Sequence, residues 1–122
     1  MTQFQEKGFQ KVKAFIPPFF FTYLRNYFTL RVQNDRLGGD EQAPNSHCVY
    51  GDPAFDMVMA MSTDDIGKIV GKRLIPQYTY ARIYKNGSDL KIHSDRPECQ
   101  YSVTLCLGGE YEKPWPIWIK DY

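Results

Sequence analysis

His93 and Asp95, in the stretch KIHSDRPECQYSVTL, are the residues of this chain whose types and spacing are best suited to chemistry. Side chains two positions apart on a β-strand point to the same side, so the imidazole and the carboxylate would project together while Ser94 faces away. Both groups bind divalent transition metals, and on one face they can take adjacent positions on one ion. The spacing predicts half of a metal site. The alternative is a surface turn in which Asp95 caps Arg96 and His93 is solvated.

Alternating sequences around this pair predict antiparallel strands that would position it. Residues 74–84 alternate, which places Tyr80, Arg82 and Tyr84 on one face of a strand. The Asn-Gly pair within residues 85–88 predicts the turn that follows. Further strands are predicted at residues 89–94, 101–107 and 115–119, with a turn at 96–98.

Two helices are predicted before the strands. One covers residues 18–33 and begins after a proline pair. The other covers residues 53–71 and is capped by Asp52; because Ser62 and Thr63 form a second capping signal, it is either one kinked helix or two short ones. Residues 1–16 are predicted to be an irregular or partly extended lead-in, and residues 34–51 a long loop. The fold class is therefore α+β in a single domain, 1–122, with a mainly helical support region, 1–73, and strands in 74–122.

The composition excludes several classes of partner. Fifteen Lys and Arg against fourteen Asp and Glu leave no basic excess for nucleic acid. No run of about 18 apolar residues is present, so no membrane span is predicted. Cys48, Cys99 and Cys106 are an odd number at unpatterned spacing, which favours reduced thiols and a cytoplasmic location.

The stretch YTYARIYKNGSDLKIHSDRPECQYSVTLCLGG resembles the core of the Fe(II)/2-oxoglutarate-dependent dioxygenases, in particular their prolyl 4-hydroxylase-like branch. The matching features are the Tyr-x-Arg-x-Tyr strand, the glycine turn at Gly87, the His-Ser-Asp-Arg motif and the Ser-Val-Thr-Leu strand. The preceding YGDPAFDMVM helix and the GKRLIPQYTY lead-in fit the same pattern, so the resemblance covers residues 50–109. It implies an antiparallel double-stranded β-helix (jelly roll) supported by the N-terminal helices.

The resemblance also implies roles for individual residues. His93 and Asp95 correspond to two of the three protein ligands of Fe(II), and Tyr84 to the tyrosine that hydrogen-bonds the co-substrate 2-oxoglutarate. Tyr80 and Arg82 share the face of Tyr84 and are expected in the same pocket. Small polar residues of the next strand, Ser102, Thr104 and Cys106, would line the co-substrate cavity. O2 is the second co-substrate, and the substrate is a small molecule or a peptidyl residue. The alternatives are aromatic packing for the two tyrosines and a structural salt bridge for Arg82.

Two elements of the family pattern are missing from this sequence. The family has a second histidine several strands after the first, and later still a basic residue that pairs with the distal carboxylate of 2-oxoglutarate. No histidine follows His93, and the only other one, His47, precedes the motif. We therefore expect an incomplete jelly roll that is inactive alone and can self-associate through unpaired strand edges.

Two other classes of function remain open. A zinc-binding module would use N and S ligands drawn from His47, Cys48, His93, Cys99 and Cys106, although the paired spacings typical of such modules are not present. A non-catalytic jelly-roll binding domain would keep the fold without the site.

Overall fold

The computed structural model describes residues 1–110, 112–113 and 115–119 of the chain. In chain order its elements are α1 (Gln3–Lys7), α2 (Pro18–Asp35), β1 (Ser46–Tyr50), α3 (Pro53–Val70) and β2 (Tyr80–Tyr84). Helices and one antiparallel two-stranded sheet confirm the α+β class. A jelly roll is not present among these residues, and the predicted strand region 74–122 extends partly outside them.

The two long helices begin where the sequence predicts and follow local signals. Pro18 lies in the first turn of α2, and α3 begins at Pro53, where the Asp52 side chain accepts a hydrogen bond from the backbone N–H of Ala54 at 2.8 Å. At the end of α3, Gly71 adopts φ +80°, the left-handed conformation that closes many helices. Of the two alternatives, one kinked helix or two short ones, the structure shows one continuous helix, Pro53–Val70. The Thr63 hydroxyl donates back to the Met59 carbonyl at 2.7 Å instead of capping a new helix.

The lead-in contains a helix that the sequence analysis did not predict. Thr2 and Gln5 form a reciprocal capping box at the start of α1, and Gly8 ends it with φ +78°. The Thr2 hydroxyl also donates to the Ile69 carbonyl at 2.6 Å. This short helix is therefore held against the last turn of α3 and satisfies one of its orphan carbonyls.

The sheet differs from the prediction in both of its strands. β1 lies inside the segment predicted as a loop, and β2 covers only the second half of the predicted strand 74–84. The pairing runs from Ser46 opposite Tyr84 to Tyr50 opposite Tyr80. Beyond it, Gly51 N donates to the Thr79 carbonyl at 3.0 Å, and the chain then turns at Gly51, φ +65°, into α3, which ends the pairing.

The segments after β2 contain the predicted turns but not the predicted strands. Both predicted turns are present, with Ser88 N donating to Lys85 O at 2.9 Å and Cys99 N to Arg96 O at 2.8 Å. Residues 89–94, 101–107 and 115–119, however, form no strand. Ile92 is fully exposed, which shows that alternation in the sequence did not bring a partner strand here. A strand needs a ladder of backbone hydrogen bonds to a neighbour, and the bond from Lys91 N to the Gln42 carbonyl at 3.1 Å does not make one.

One face of the sheet packs on the helices and forms the core. Leu24 and Phe28 of α2 and Phe55 of α3 are buried, and the Phe28 and Phe55 rings meet edge to face at 5.4 Å. The strand residues that pack against this cluster are Val49, Ala81 and Ile83. The opposite face is left for polar and aromatic side chains. None of the helices that the structure describes combines the length and the apolar character needed to cross a bilayer.

Candidate functional site

The outer face of the sheet carries the three strand residues that the sequence placed together. Tyr80, Arg82 and Tyr84 alternate with the core residues Ala81 and Ile83, so they share the other face. The guanidinium of Arg82 lies over both rings, 5.0 Å from the Tyr80 centroid and 5.8 Å from that of Tyr84. The predicted common face is therefore confirmed, with the arginine between the two tyrosines.

Arg82 is paired with an acidic residue of the segment before β1. Its two terminal nitrogens donate to the two carboxylate oxygens of Asp40 at 2.8 and 2.9 Å, and one also donates to Ser46 Oγ at 3.0 Å. Its side chain is only 8% exposed. The Tyr80 hydroxyl donates to Asp40, and its oxygen lies 3.2 Å from Cys48 Sγ. The structure thus shows the salt bridge that was the alternative for Arg82, and a co-substrate role for Tyr80 and Arg82 stays a prediction.

The electrostatics of this cluster favour the ionised pair. Hydrogen bonds from Arg82 hold the pKa of Asp40 below its usual value, against burial and together with the Tyr80 hydroxyl. The same interaction raises the pKa of Arg82. Burial, followed by the bond to Asp40, raises the pKa of Tyr80, so the phenol remains a donor. Asp40 was not predicted from the sequence, because no local pattern around Arg82 indicates which carboxylate its buried side chain will contact.

His93 and Asp95 face each other, although no strand holds them. Their Nε2 and Oδ1 atoms are 3.6 Å apart, with side chains 31% and 47% exposed. His93 Nδ1 lies 2.8 Å from the Lys91 carbonyl, and the Ser102 hydroxyl donates to Asp95 Oδ2 at 2.7 Å. Because a carbonyl only accepts, Nδ1 carries the proton in that contact and Nε2 of the neutral ring presents a lone pair to the carboxylate. Two acceptors that face each other are stabilised by a proton on Nε2 or by a cation bound to both.

This pair fits a metal ion in part. Two donor atoms about 2.1 Å from one ion can be at most ~4.2 Å apart, so the observed 3.6 Å between Nε2 and Oδ1 is compatible with shared coordination. A contact from the other imidazole nitrogen to a carbonyl is also the usual support of a ligating histidine. Over the described part of the chain, however, no group of three or more His, Cys, Asp or Glu residues is placed to hold a metal. The donors present are therefore two of the three that the sequence resemblance implies.

The remaining predicted co-substrate residues are not gathered into a pocket with the pair. The Tyr84 ring contacts Trp115 edge to face, with centroids 5.7 Å apart, as in aromatic packing. Thr104 and Cys106 are exposed in a segment without regular structure. Of the three residues predicted on that strand face, Ser102 contacts the His93–Asp95 pair, through its bond to Asp95. The co-substrate roles of Tyr84 and Thr104 stay predictions.

The ligands proposed for a zinc module point to separate neighbours. His47 Nδ1 contacts the Leu37 carbonyl at 2.6 Å, and the Cys48 thiol donates to the Gly38 carbonyl at 3.2 Å. All three cysteines lie in the described part of the chain and are free. These contacts attach the segment before β1 to the strand and give no support to a shared zinc ion.

Comparisons with protein-family models, with curated proteins and with solved structures give no match to this chain. The class of protein is therefore a proposal, which rests on the residues of the site and on the resemblance described for their sequence.

Proposed function

We propose that this chain is part of an Fe(II)/2-oxoglutarate-dependent dioxygenase in which His93 and Asp95 are two of the iron ligands. The observation that carries the proposal is the 3.6 Å approach of an imidazole nitrogen to a carboxylate oxygen. In the neutral ring, the other nitrogen donates to a carbonyl, so the atom that faces Asp95 is the one with a lone pair. A divalent cation between them would replace two opposed acceptors by two favourable bonds.

The residues around the pair have distinct tasks in this proposal. The Lys91 carbonyl fixes the tautomer and the ring orientation of His93, and the Ser102 hydroxyl leaves Asp95 Oδ1 available by binding Oδ2. Bound Fe(II) would supply the redox chemistry that couples O2 and 2-oxoglutarate to oxidation of a C–H bond. The substrate is a small molecule or a peptidyl side chain, in the cytoplasm. A complete site of this kind has a third protein ligand, which the described residues do not supply.

Metal binding can be tested on the chain as it is, because it has only two histidines and one serves as an internal control. Mn(II), a paramagnetic substitute for Fe(II), is titrated while the imidazole signals of His93 and His47 are followed by NMR. We expect the His93 signals to broaden at lower Mn(II) concentration than those of His47. With two protein ligands, binding will be weak, and 2-oxoglutarate should tighten it because it adds ligands to the same ion.

Two carboxylate variants separate a specific site from general attraction. Asp95→Asn should abolish the preference for His93, whereas Asp89→Asn, which removes an equal charge from a nearby exposed position, should keep it. Because the described residues supply two protein ligands and the chain alone is expected to be inactive, metal binding at His93 is the readout of this test and succinate formation is not. Equal broadening of both histidines would contradict the proposal and favour a non-catalytic domain, and tight stoichiometric zinc would favour the zinc module.

A further inference from the structure

The segment that carries the candidate ligands, residues 91–96, is neither helix nor strand, so other contacts must hold it. At its first residue, the backbone N–H of Lys91 donates to the Gln42 carbonyl at 3.1 Å. Gln42 follows Asp40, which the Arg82 pair fixes to the sheet. One end of the segment is thus attached to the outer face of the sheet through the residues before β1.

Arg96 attaches the other end, directly after Asp95. Its guanidinium carbon lies 5.1 Å from the ring centroid of Tyr78 and 5.9 Å from that of Tyr50, within the range of cation–π contacts. The two rings are themselves 5.1 Å apart and come from two different segments at the same end of the sheet, since Tyr50 is the last residue of β1 and Tyr78 precedes β2. One arginine therefore bridges the irregular segment to two aromatic residues of the framework.

The backbone beyond Arg96 is fixed as well. Cys99 N donates to the Arg96 carbonyl at 2.8 Å and closes the turn at residues 96–98. A hydrogen bond between Cys99 and the Tyr78 side chain, with burial, raises the pKa of Tyr78. Tyr78 thus contacts the turn on both sides, through the guanidinium of Arg96 and through Cys99, which restricts where the backbone of Asp95 can lie.

We propose that Arg96 is a positioning residue, whose contact with Tyr50 and Tyr78 keeps His93 Nε2 and Asp95 Oδ1 facing each other. The metal-binding consequence rests on the function proposed above, and the geometric consequence does not. Without the guanidinium, the segment keeps its attachment at Lys91, the turn after it and the bond from Ser102 to Asp95 Oδ2, but it loses the anchor of the side chain next to Asp95. The carboxylate then samples orientations turned away from the imidazole.

The test compares Arg96→Ala with Arg73→Ala, which removes the same charge from an exposed position elsewhere. Exposed cation–π contacts correspond to about a two- to fivefold change in an equilibrium constant, so we expect Mn(II) binding at His93 to weaken by about that factor in Arg96→Ala alone. Arg96→Lys keeps a cation and should lose less. Tyr50→Phe keeps the ring and should bind as the wild type does, whereas Tyr50→Leu should resemble Arg96→Ala.

A metal-free measurement accompanies the titration, so that the two proposals fail separately. Backbone 15N relaxation should report lower order parameters for residues 93–95 in Arg96→Ala and Tyr50→Leu than in the wild type and Arg73→Ala. If the wild-type protein does not bind Mn(II) selectively at His93, the metal proposal is overturned. The order parameters would still decide the role of Arg96. This inference would be overturned if residues 93–95 had the same order parameters in Arg96→Ala as in Arg73→Ala. It would also be overturned if the effects of Arg96→Ala and Tyr50→Leu on these order parameters were additive in the double variant. If Arg96→Ala does not fold, the Tyr50→Phe and Tyr50→Leu pair decides it.

Discussion

Removal of the Asp52 carboxylate is the substitution whose cost can be worked out most fully from the structure. Asp52 is 1% exposed and has three partners. It accepts from Ala54 N at the start of α3, from the Tyr27 hydroxyl at 2.7 Å and from the guanidinium of Arg31, the last two both in α2. It therefore caps one helix and ties the other to it beside the core.

In Asp52→Ala, loss of the helix cap costs about 1 kcal/mol. Breaking a fully buried ion pair from one side costs about 3–5 kcal/mol, but the Arg31 side chain is 28% exposed and water can replace part of the interaction. We expect a total loss of about 3 kcal/mol in the free energy of unfolding, equivalent to a fall in Tm of roughly 10 °C for a domain of this size. Asp52→Asn keeps an acceptor for the cap and should lose about half as much.

Urea unfolding followed by circular dichroism measures both variants, and Asp35→Ala is the matched control. Asp35 pairs with the same arginine, at 2.9 Å, but its side chain is 50% exposed. An exposed pair contributes at most about 0.5–1 kcal/mol, so the control should be close to the wild type. If Asp52→Ala cost no more than Asp35→Ala, the carboxylate would not be the link between the helices that its burial indicates.

The same carboxylate gives a dependence on pH. Burial acts to raise the pKa of Asp52, but the bonds from Tyr27, Arg31 and Ala54 outweigh it and the pKa is lowered on folding. The unfolded chain then binds the proton first, so the stabilisation is complete above the unfolded pKa of about 4 and is lost as the pH falls through the folded pKa. The difference in stability between the wild type and Asp52→Asn should therefore narrow below about pH 4, and a constant difference would contradict this sign.

Two further substitutions test the other tertiary links. Arg82→Lys should lower the free energy of unfolding by about 1–2 kcal/mol, because a lysine cannot replace the two parallel bonds to Asp40. Thermal unfolding measures this, and an unchanged Tm would show that the pair is not a stabilising contact. Gly71→Ala should cost about 1 kcal/mol or more, since Gly71 has φ +80° and an added Cβ would clash with the Gln5 side chain. Gly8→Ala, at φ +78° with open space around it, measures the backbone strain alone and should cost less.

The sequence predicted the elements whose signals are local. The caps of α3 at Asp52 and Gly71 and the proline start of α2 depend on neighbouring residues, and both helices are where those signals indicate. The capping box of α1, Thr2 and Gln5, is a signal of the same kind that could have been used. Strands depend on distant partners, so β1 was missed and unpaired alternation was mistaken for strands after Tyr84.

The site residues also divide into those predicted from local signals and those that depend on distant partners. The common face of Tyr80, Arg82 and Tyr84 comes from alternation within one strand, and the structure has it. His93 and Asp95 do converge, but an irregular segment brings them together instead of the strand from which their convergence was predicted. Asp40, which decides the environment of Arg82, lies 42 positions away, and no property of the sequence connects the two.

The two strands of the sheet are neighbours in space but are not a hairpin, because residues 51–79, with all of α3, lie between them. Closing so long an intervening segment has an entropic cost that is recovered only when α3 has already docked on α2. We therefore expect strand pairing to be a late event on the folding pathway. Substitutions on the outer sheet face should therefore raise the unfolding rate, while substitutions of Leu24 or Phe55 should slow refolding.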